Sequence, residues 1–132
     1  MSKKILCIED SITTQKIILH TLSQAGYFVD LANNGVEGIE ELAKDSYDLL
    51  LLDLIMPKMN GFHVLREISR VAQFSNIPVI VISSDKRQQC IDEVMRLGAR
   101  KFICKPFKAE ELLEAVSEVL KNKLCPDNGM TA

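Results

Sequence analysis

A chain of 132 residues is enough for one folded domain and leaves little room for a second. With 47% hydrophobic and 26% charged residues it can bury a core, and a net charge of −2 with both signs interspersed excludes a nucleic-acid-binding stripe or a polybasic membrane patch. Its apolar runs are too short to span a bilayer, and the start Met1-Ser2-Lys3-Lys4-Ile5-Leu6 enters a strand-like run without a signal-peptide cleavage pattern, so a cytoplasmic protein is expected.

Apolar runs alternate with longer helical patterns along the chain. Residues 5–8 read as a strand, and residues 12–24 as a helix with apolar spacing at Ile17, Ile18 and Leu22, ended by Gly26. Residues 27–31 form a weaker strand pattern. Asn33-Asn34-Gly35 is a turn leading into a helix over 36–43. The run 49–52, four leucines, reads as a buried strand. After a loop over 55–60 comes a helix from Gly61 to about Ala72, with Val64, Leu65, Ile68 and Val71 on one face. Residues 79–82 are another buried strand. The helix over 86–97 closes at Gly98, 102–104 is the last strand, and 109–120 is an amphipathic helix with Leu112, Leu113, Val116, Val119 and Leu120 inward.

Strands that are apolar on both faces and separated by helices predict a parallel sheet covered on both sides. The expected fold is α/β: a doubly wound, five-stranded parallel sheet of order 2-1-3-4-5 with helices on both faces, flavodoxin-like. The expected domain covers residues 1–124. Residues 125–132 lack periodicity and read as a disordered tail or the start of a linker. The cysteines, Cys7, Cys90, Cys104 and Cys125, form no CxxC pair and read as reduced. His20 and His63 each stand alone on a helix and are expected at the surface.

The informative residues follow the buried strands: Glu9-Asp10, Asp53, Ser83-Ser84 and Lys105. In open α/β sheets, sites form at the carboxyl ends of the strands, so these residues should converge on one edge. Clustered carboxylates need a cation or a proton. Oxygen ligands without His or Cys favour a hard divalent ion, Mg²⁺ over Zn²⁺. A lysine and a serine beside them suit a phosphoryl group, and an aspartate can serve as its nucleophile.

The set Glu9-Asp10, Asp53 in Asp53-Leu54-Ile55-Met56-Pro57-Lys58-Met59-Asn60-Gly61, Ser83, and Lys105-Pro106-Phe107 resembles the receiver domain of two-component response regulators. The resemblance runs from Lys3 to about Lys121. It implies that Asp53 is the phosphoacceptor, loaded by a histidine kinase or histidine phosphotransfer protein in a Mg²⁺-dependent reaction. It implies that Asp10 ligates Mg²⁺ directly, Glu9 through water, and Ile55 through its backbone carbonyl. Lys105 would pair with the phosphoryl group or Asp53, Ser83 would bind a phosphoryl oxygen, and Phe102 matches the aromatic switch position. The Lys105-Pro106 bond is expected to be cis. The output partner is expected around the fourth helix, fifth strand and fifth helix, and the chain to act as a switch rather than an enzyme, apart from self-catalysed transfer to Asp53 and its hydrolysis. Neither a membrane nor direct nucleic-acid contact is expected.

Phe102 stands where the family often has tyrosine and so lacks a phenolic hydrogen bond. A haloacid-dehalogenase-like phosphatase would need a second acid two residues after the nucleophile, where this chain has Ile55. A nucleotide-binding enzyme would need GxxxxGK[ST] or GxGxxG, and neither occurs. The expected form is a stand-alone receiver. The alternative is a receiver module excised from a larger regulator or hybrid kinase.

Overall fold

In a computed structural model describing residues 2–56 and 60–123, strands and helices alternate through the chain. The elements are β1 (Lys4–Ile8), α1 (Ile12–Gln24), β2 (Phe28–Ala32), α2 (Gly35–Lys44), β3 (Leu49–Asp53), α3 (Gly61–Arg70), β4 (Val79–Ser83), α4 (Gln88–Arg96), β5 (Lys101–Cys104) and α5 (Ala109–Lys123). The strands form one parallel sheet of order β2-β1-β3-β4-β5, as the sequence predicts.

Strand side chains alternate between faces, and each face has its own core. Leu6, Ile8, Leu50, Leu52, Val79 and Val81 pack with Leu42 of α2, Val64, Leu65 and Ile68 of α3, and Val94 of α4. Ile5, Cys7, Leu49, Leu51, Ile80 and Ile82 pack with Ile18 and Leu22 of α1 and Leu112, Val116 and Val119 of α5. This two-sided burial explains why β1, β3 and β4 are near-continuous apolar runs rather than alternating ones. Among the described residues no helix is long and apolar enough to cross a membrane.

Element ends follow local chemistry. Ser11, Asn34 and Asn60 cap α1, α2 and α3, each side-chain oxygen accepting the backbone N–H three residues on. Gly26 and Gly98, after α1 and α4, have φ of 94° and 112°, the left-handed region that glycine enters without a Cβ clash.

Three expectations are corrected. Ile17 is 48% exposed, and the inward positions of α1 are Gln15, Ile18 and Leu22. Val71 is the extended C-cap of α3, not part of its face, though it still packs on the core. Helix α4 starts at Gln88 rather than residue 86, because Arg87 turns back to hold Asp85 through Nε and Nη2, at 3.0 and 2.7 Å. Cys7 and Cys90 are buried and Cys104 half-buried, all free thiols, and burial pushes the Cys7 thiol far up. Cys7 on β1 and Cys104 on β5 have β3 and β4 between them. Residues 57–59 of the β3–α3 loop and the expected tail lie outside the described residues.

Gly61 brings the first turn of α3 against the end of β3. Its N–H donates to the Leu54 carbonyl at 2.8 Å, and an added Cβ would lie 2.6 Å from Leu54 Cα and 2.7 Å from the Asp53 carbonyl oxygen. Both are backbone atoms, so the loop itself must shift to admit a methyl group. Gly61→Ala is therefore expected to destabilise the protein by roughly 1–3 kcal/mol, measured by urea unfolding. An unchanged midpoint would show that the approach is looser than described.

Candidate functional site

Register places the strand ends side by side. Ile8 lies opposite Leu52, Asp53 opposite Ile82, and Ser83 opposite Cys104. The first residues beyond β1, β4 and β5 and the last of β3 therefore share one edge. Backbone bonds continue just past the strands: Glu9 N–H to the Ala32 carbonyl at 3.0 Å, and Lys105 N–H to the Ser83 carbonyl at 2.9 Å.

A carboxylate oxygen from each of Glu9, Asp10 and Asp53 comes within 4.8 Å of the others. Glu9 and Asp53 are buried, at 1% and 5% exposure, while Asp10 is open to solvent. Lys105 reaches in with Nζ 3.1 Å from Glu9 Oε1 and 3.4 Å from Asp53 Oδ2. The Ser11 N–H donates to Glu9 Oε2 at 3.0 Å, and the Ile55 N–H to Asp53 Oδ1 at 3.3 Å.

One ammonium group faces two buried carboxylates and a third nearby. Burial, then the charge of Glu9, push the Asp53 carboxyl up to about 7, against the opposing pull of Lys105 and the Ile55 N–H. Burial works against the Lys105 charge, but Asp53 and Glu9 outweigh it and hold the ammonium above its ordinary value. Glu9 Oε1 is buried and accepts no hydrogen bond among the described residues, despite the nearby charge of Lys105. Three carboxylates whose oxygens lie within 4.8 Å of one another, with one ammonium between two of them and no nitrogen or sulfur donor in the cluster, fit a hard divalent cation such as Mg²⁺.

The other expected residues are placed as follows. Ser83 is fully buried at the end of β4, and its Oγ accepts the Asp85 N–H at 3.1 Å. Ile55 is 62% exposed, with its backbone beside Asp53. Phe102 is half-buried on β5, packed against the α2–α3–α4 core, and lines a cavity of about 520 Å³ along β5 and α5 rather than the acidic cleft. The Lys105-Pro106 bond is cis. A largely apolar cavity of about 320 Å³ lies beside Lys105, lined by Thr14, Ile17, Ser84, Pro106 and Phe107. His20 and His63 are exposed. Sequence reasoning missed Gln15, which bonds to the backbone of Glu9, because apolar spacing points to Ile17 and not to a polar residue on the inward face of α1.

Comparison with known proteins gives this arrangement its context. The family model described as the response regulator receiver domain matches residues 5–117. The transcriptional regulatory protein CpxR homolog of Haemophilus influenzae is 36% identical over 130 residues, 97% of this chain and 55% of that protein. The chemotaxis protein CheY of Thermotoga maritima is 32% identical over 122 residues, 92% of this chain and 100% of that protein. The chain thus spans about half the length of some curated relatives and the whole of others. Among solved structures, the chemotaxis protein CheY4 of Vibrio cholerae is similar at a TM-score of 0.86 and 29% identity, covering 90% of this chain and 99% of that one. The receiver domain of a sensor histidine kinase from Pseudomonas aeruginosa, solved with a magnesium ion in its active-site cleft, is similar at 0.84 and 26% identity, covering 92% and 99%. With its order 2-1-3-4-5 sheet, its acidic cluster at the strand ends and these relatives, the chain belongs to the response regulator receiver domain family.

Proposed function

We propose that this receiver accepts a phosphoryl group on Asp53 from a phosphohistidine of a histidine kinase or phosphotransfer protein, and that the modified state changes which partner it binds. The observation that carries this reading is the buried Asp53 carboxylate with Lys105 Nζ at 3.4 Å and two further carboxylates converging on it. Glu9, Asp10, Asp53 and the Ile55 carbonyl would hold Mg²⁺, which supplies positive charge for the phosphoryl oxygens when bound.

A carboxylate oxygen of Asp53 attacks phosphorus as the P–N bond to the donor imidazole breaks, and the imidazole leaves with the bonding pair and takes up a proton. Lys105 exchanges part of its pairing with Asp53 for the phosphoryl oxygens. Ser83 Oγ already accepts a hydrogen bond from Asp85, so its own hydrogen is free to be donated to the phosphoryl group. A rotation of Ser83 then pulls on the β4–α4 loop. Phe102 is the expected aromatic responder in the face formed by α4, β5 and α5, which we assign to the output partner. The donor is taken to dock near α1, where exposed Ile17 lines the apolar cavity beside Lys105.

The receiver domain is taken as residues 1–124, with 125–132 as a tail or the start of a linker. We read it as a stand-alone cytoplasmic receiver that acts through protein binding, with no direct nucleic-acid or membrane contact. It is a self-modifying switch, with hydrolysis of its own phosphoryl group as its only turnover. The alternative, a module of a longer regulator, is favoured by relatives such as the CpxR homolog, of which the chain spans 55%. The mass of the gene product in native extract separates the two.

The test uses a small-molecule acyl phosphate as donor. Mg²⁺-dependent incorporation of one phosphoryl group, sensitive to hydroxylamine and blocked by a chelator, is expected. In calorimetry Asp10→Ala should weaken Mg²⁺ binding at least about tenfold. Equal affinity in that variant would place the metal elsewhere.

A further inference from the structure

A glutamine facing the core of a helix is unfavourable unless its amide is satisfied, because burying an unpaired amide costs more than burying an aliphatic side chain of that size. Gln15 is such a residue, only 7% exposed on the inward face of α1. Its Nε2 lies 2.5 Å from the Glu9 carbonyl oxygen and 2.8 Å from Asn33 Oδ1. A backbone carbonyl can only accept, so the Gln15 atom facing it is the amide nitrogen, and the two contacts use both of its hydrogens.

These bonds join two loops at the sheet's carboxyl edge. The β1–α1 loop carries Glu9 and Asp10. The β2–α2 loop carries Asn33, whose N–H donates to Glu37 Oε1 at 2.9 Å, and Asn34, whose Oδ1 accepts the Glu37 N–H at 2.9 Å. A line of hydrogen bonds thus runs from the Glu9 backbone through Gln15 to the capped start of α2. The Glu9 side chain is held at both oxygens only by its immediate surroundings: Oε2 accepts the Ser11 N–H, and Oε1 faces Lys105. Lys105 Nζ pairs with Oε1 at 3.1 Å, and where the carboxylate sits along the strand edge is set by how its backbone is held.

We propose that Gln15 is a positioning residue that anchors the Glu9 carbonyl to the β2–α2 loop and so holds the Glu9-Asp10 turn where both carboxylates converge on Asp53. This rests on the reading of the acidic cluster as a Mg²⁺ centre. An aliphatic residue at position 15 would fill the same space, but the carbonyl of Glu9 and Oδ1 of Asn33 would lose their donor. Among the described residues, that would leave the Glu9 backbone tied to the end of β2 by its N–H bond to the Ala32 carbonyl alone.

The test compares the full chain with Gln15→Met, which keeps length and helix propensity but removes both donors. Mg²⁺ affinity is measured by calorimetry well below the unfolding midpoint of either protein. The variant is expected to bind Mg²⁺ about tenfold more weakly, the size of effect found for groups that orient metal ligands. A lowered unfolding midpoint with Mg²⁺ affinity within twofold of wild type would overturn the proposal, because Gln15 would then be a packing residue only. Wild-type protein that binds no Mg²⁺ would instead sink the metal reading, and this inference with it. If Gln15→Met does not fold, wild type decides by NMR. The Gln15 side-chain amide protons should exchange slowly with solvent and shift with Mg²⁺ at the same midpoint as the Glu9 and Asp53 backbone amides; rapid exchange and unmoved resonances would overturn the proposal.

Discussion

Asp53→Asn is expected to reduce phosphoryl labelling from any donor to background while leaving the fold intact. The carboxylate is the proposed nucleophile, and an amide of the same shape has no anionic oxygen to attack phosphorus. Glu9 and Asp10 remain in the variant, but neither takes the place of Asp53 between Lys105 and the Ile55 N–H. Asparagine can still accept that N–H, and Lys105 keeps Glu9 Oε1 at 3.1 Å, so far-UV circular dichroism should match wild type. Labelling that persists undiminished in the variant would remove Asp53 from the acceptor role.

The same substitution should stabilise the metal-free protein, by an amount that depends on pH. A carboxyl held at about 7 against an ordinary 3.8 carries a penalty, once ionised, of at most roughly 4 kcal/mol. The penalty is fully present above pH 7, where Asp53 is ionised in folded and unfolded chains alike. As pH falls below about 7 the folded protein takes up a proton that the unfolded chain does not yet hold, and the penalty shrinks until about pH 4. With a chelator present, Asp53→Asn should therefore unfold some 5–10 °C above wild type at pH 8, for a gain of about 2 kcal/mol. The difference should narrow as pH drops to 5. A variant less stable than wild type at pH 8, or a gap that widens on acidification, would show that Lys105 fully compensates the buried carboxylates.

The fold was legible because each central strand, buried on both faces, reads as a short apolar run such as Leu49 to Leu52, and the intervening segments carry helical spacing. The cleft was legible for a related reason: a parallel sheet sends every strand's carboxyl end to one edge, so Glu9, Asp53, Ser83 and Lys105 had to meet once the strands were placed. The inward face of α1 was not. Apolar spacing favours Ile17, yet Gln15 takes the buried position because its partners, the Glu9 carbonyl and Asn33, arrive only through tertiary structure. The start of α4 was misjudged likewise, since the Arg87–Asp85 ion pair that shapes the preceding turn leaves no mark on helical periodicity. Phe102 is matched to the aromatic switch position only through the resemblance to receiver domains; its place beside the β5–α5 cavity depends on how α5 packs on the edge strand.

The most direct test of the central claim is chemical location of the phosphoryl group. Borohydride reduces an aspartyl phosphate to homoserine, and peptide mapping by mass spectrometry then finds the altered residue. The chain phosphorylated in Mg²⁺ should show homoserine at position 53 and nowhere else, and none when a chelator is present. Reduction at Asp10, or a phosphoryl group found on exposed His20 or His63 with position 53 unaltered, would contradict the account.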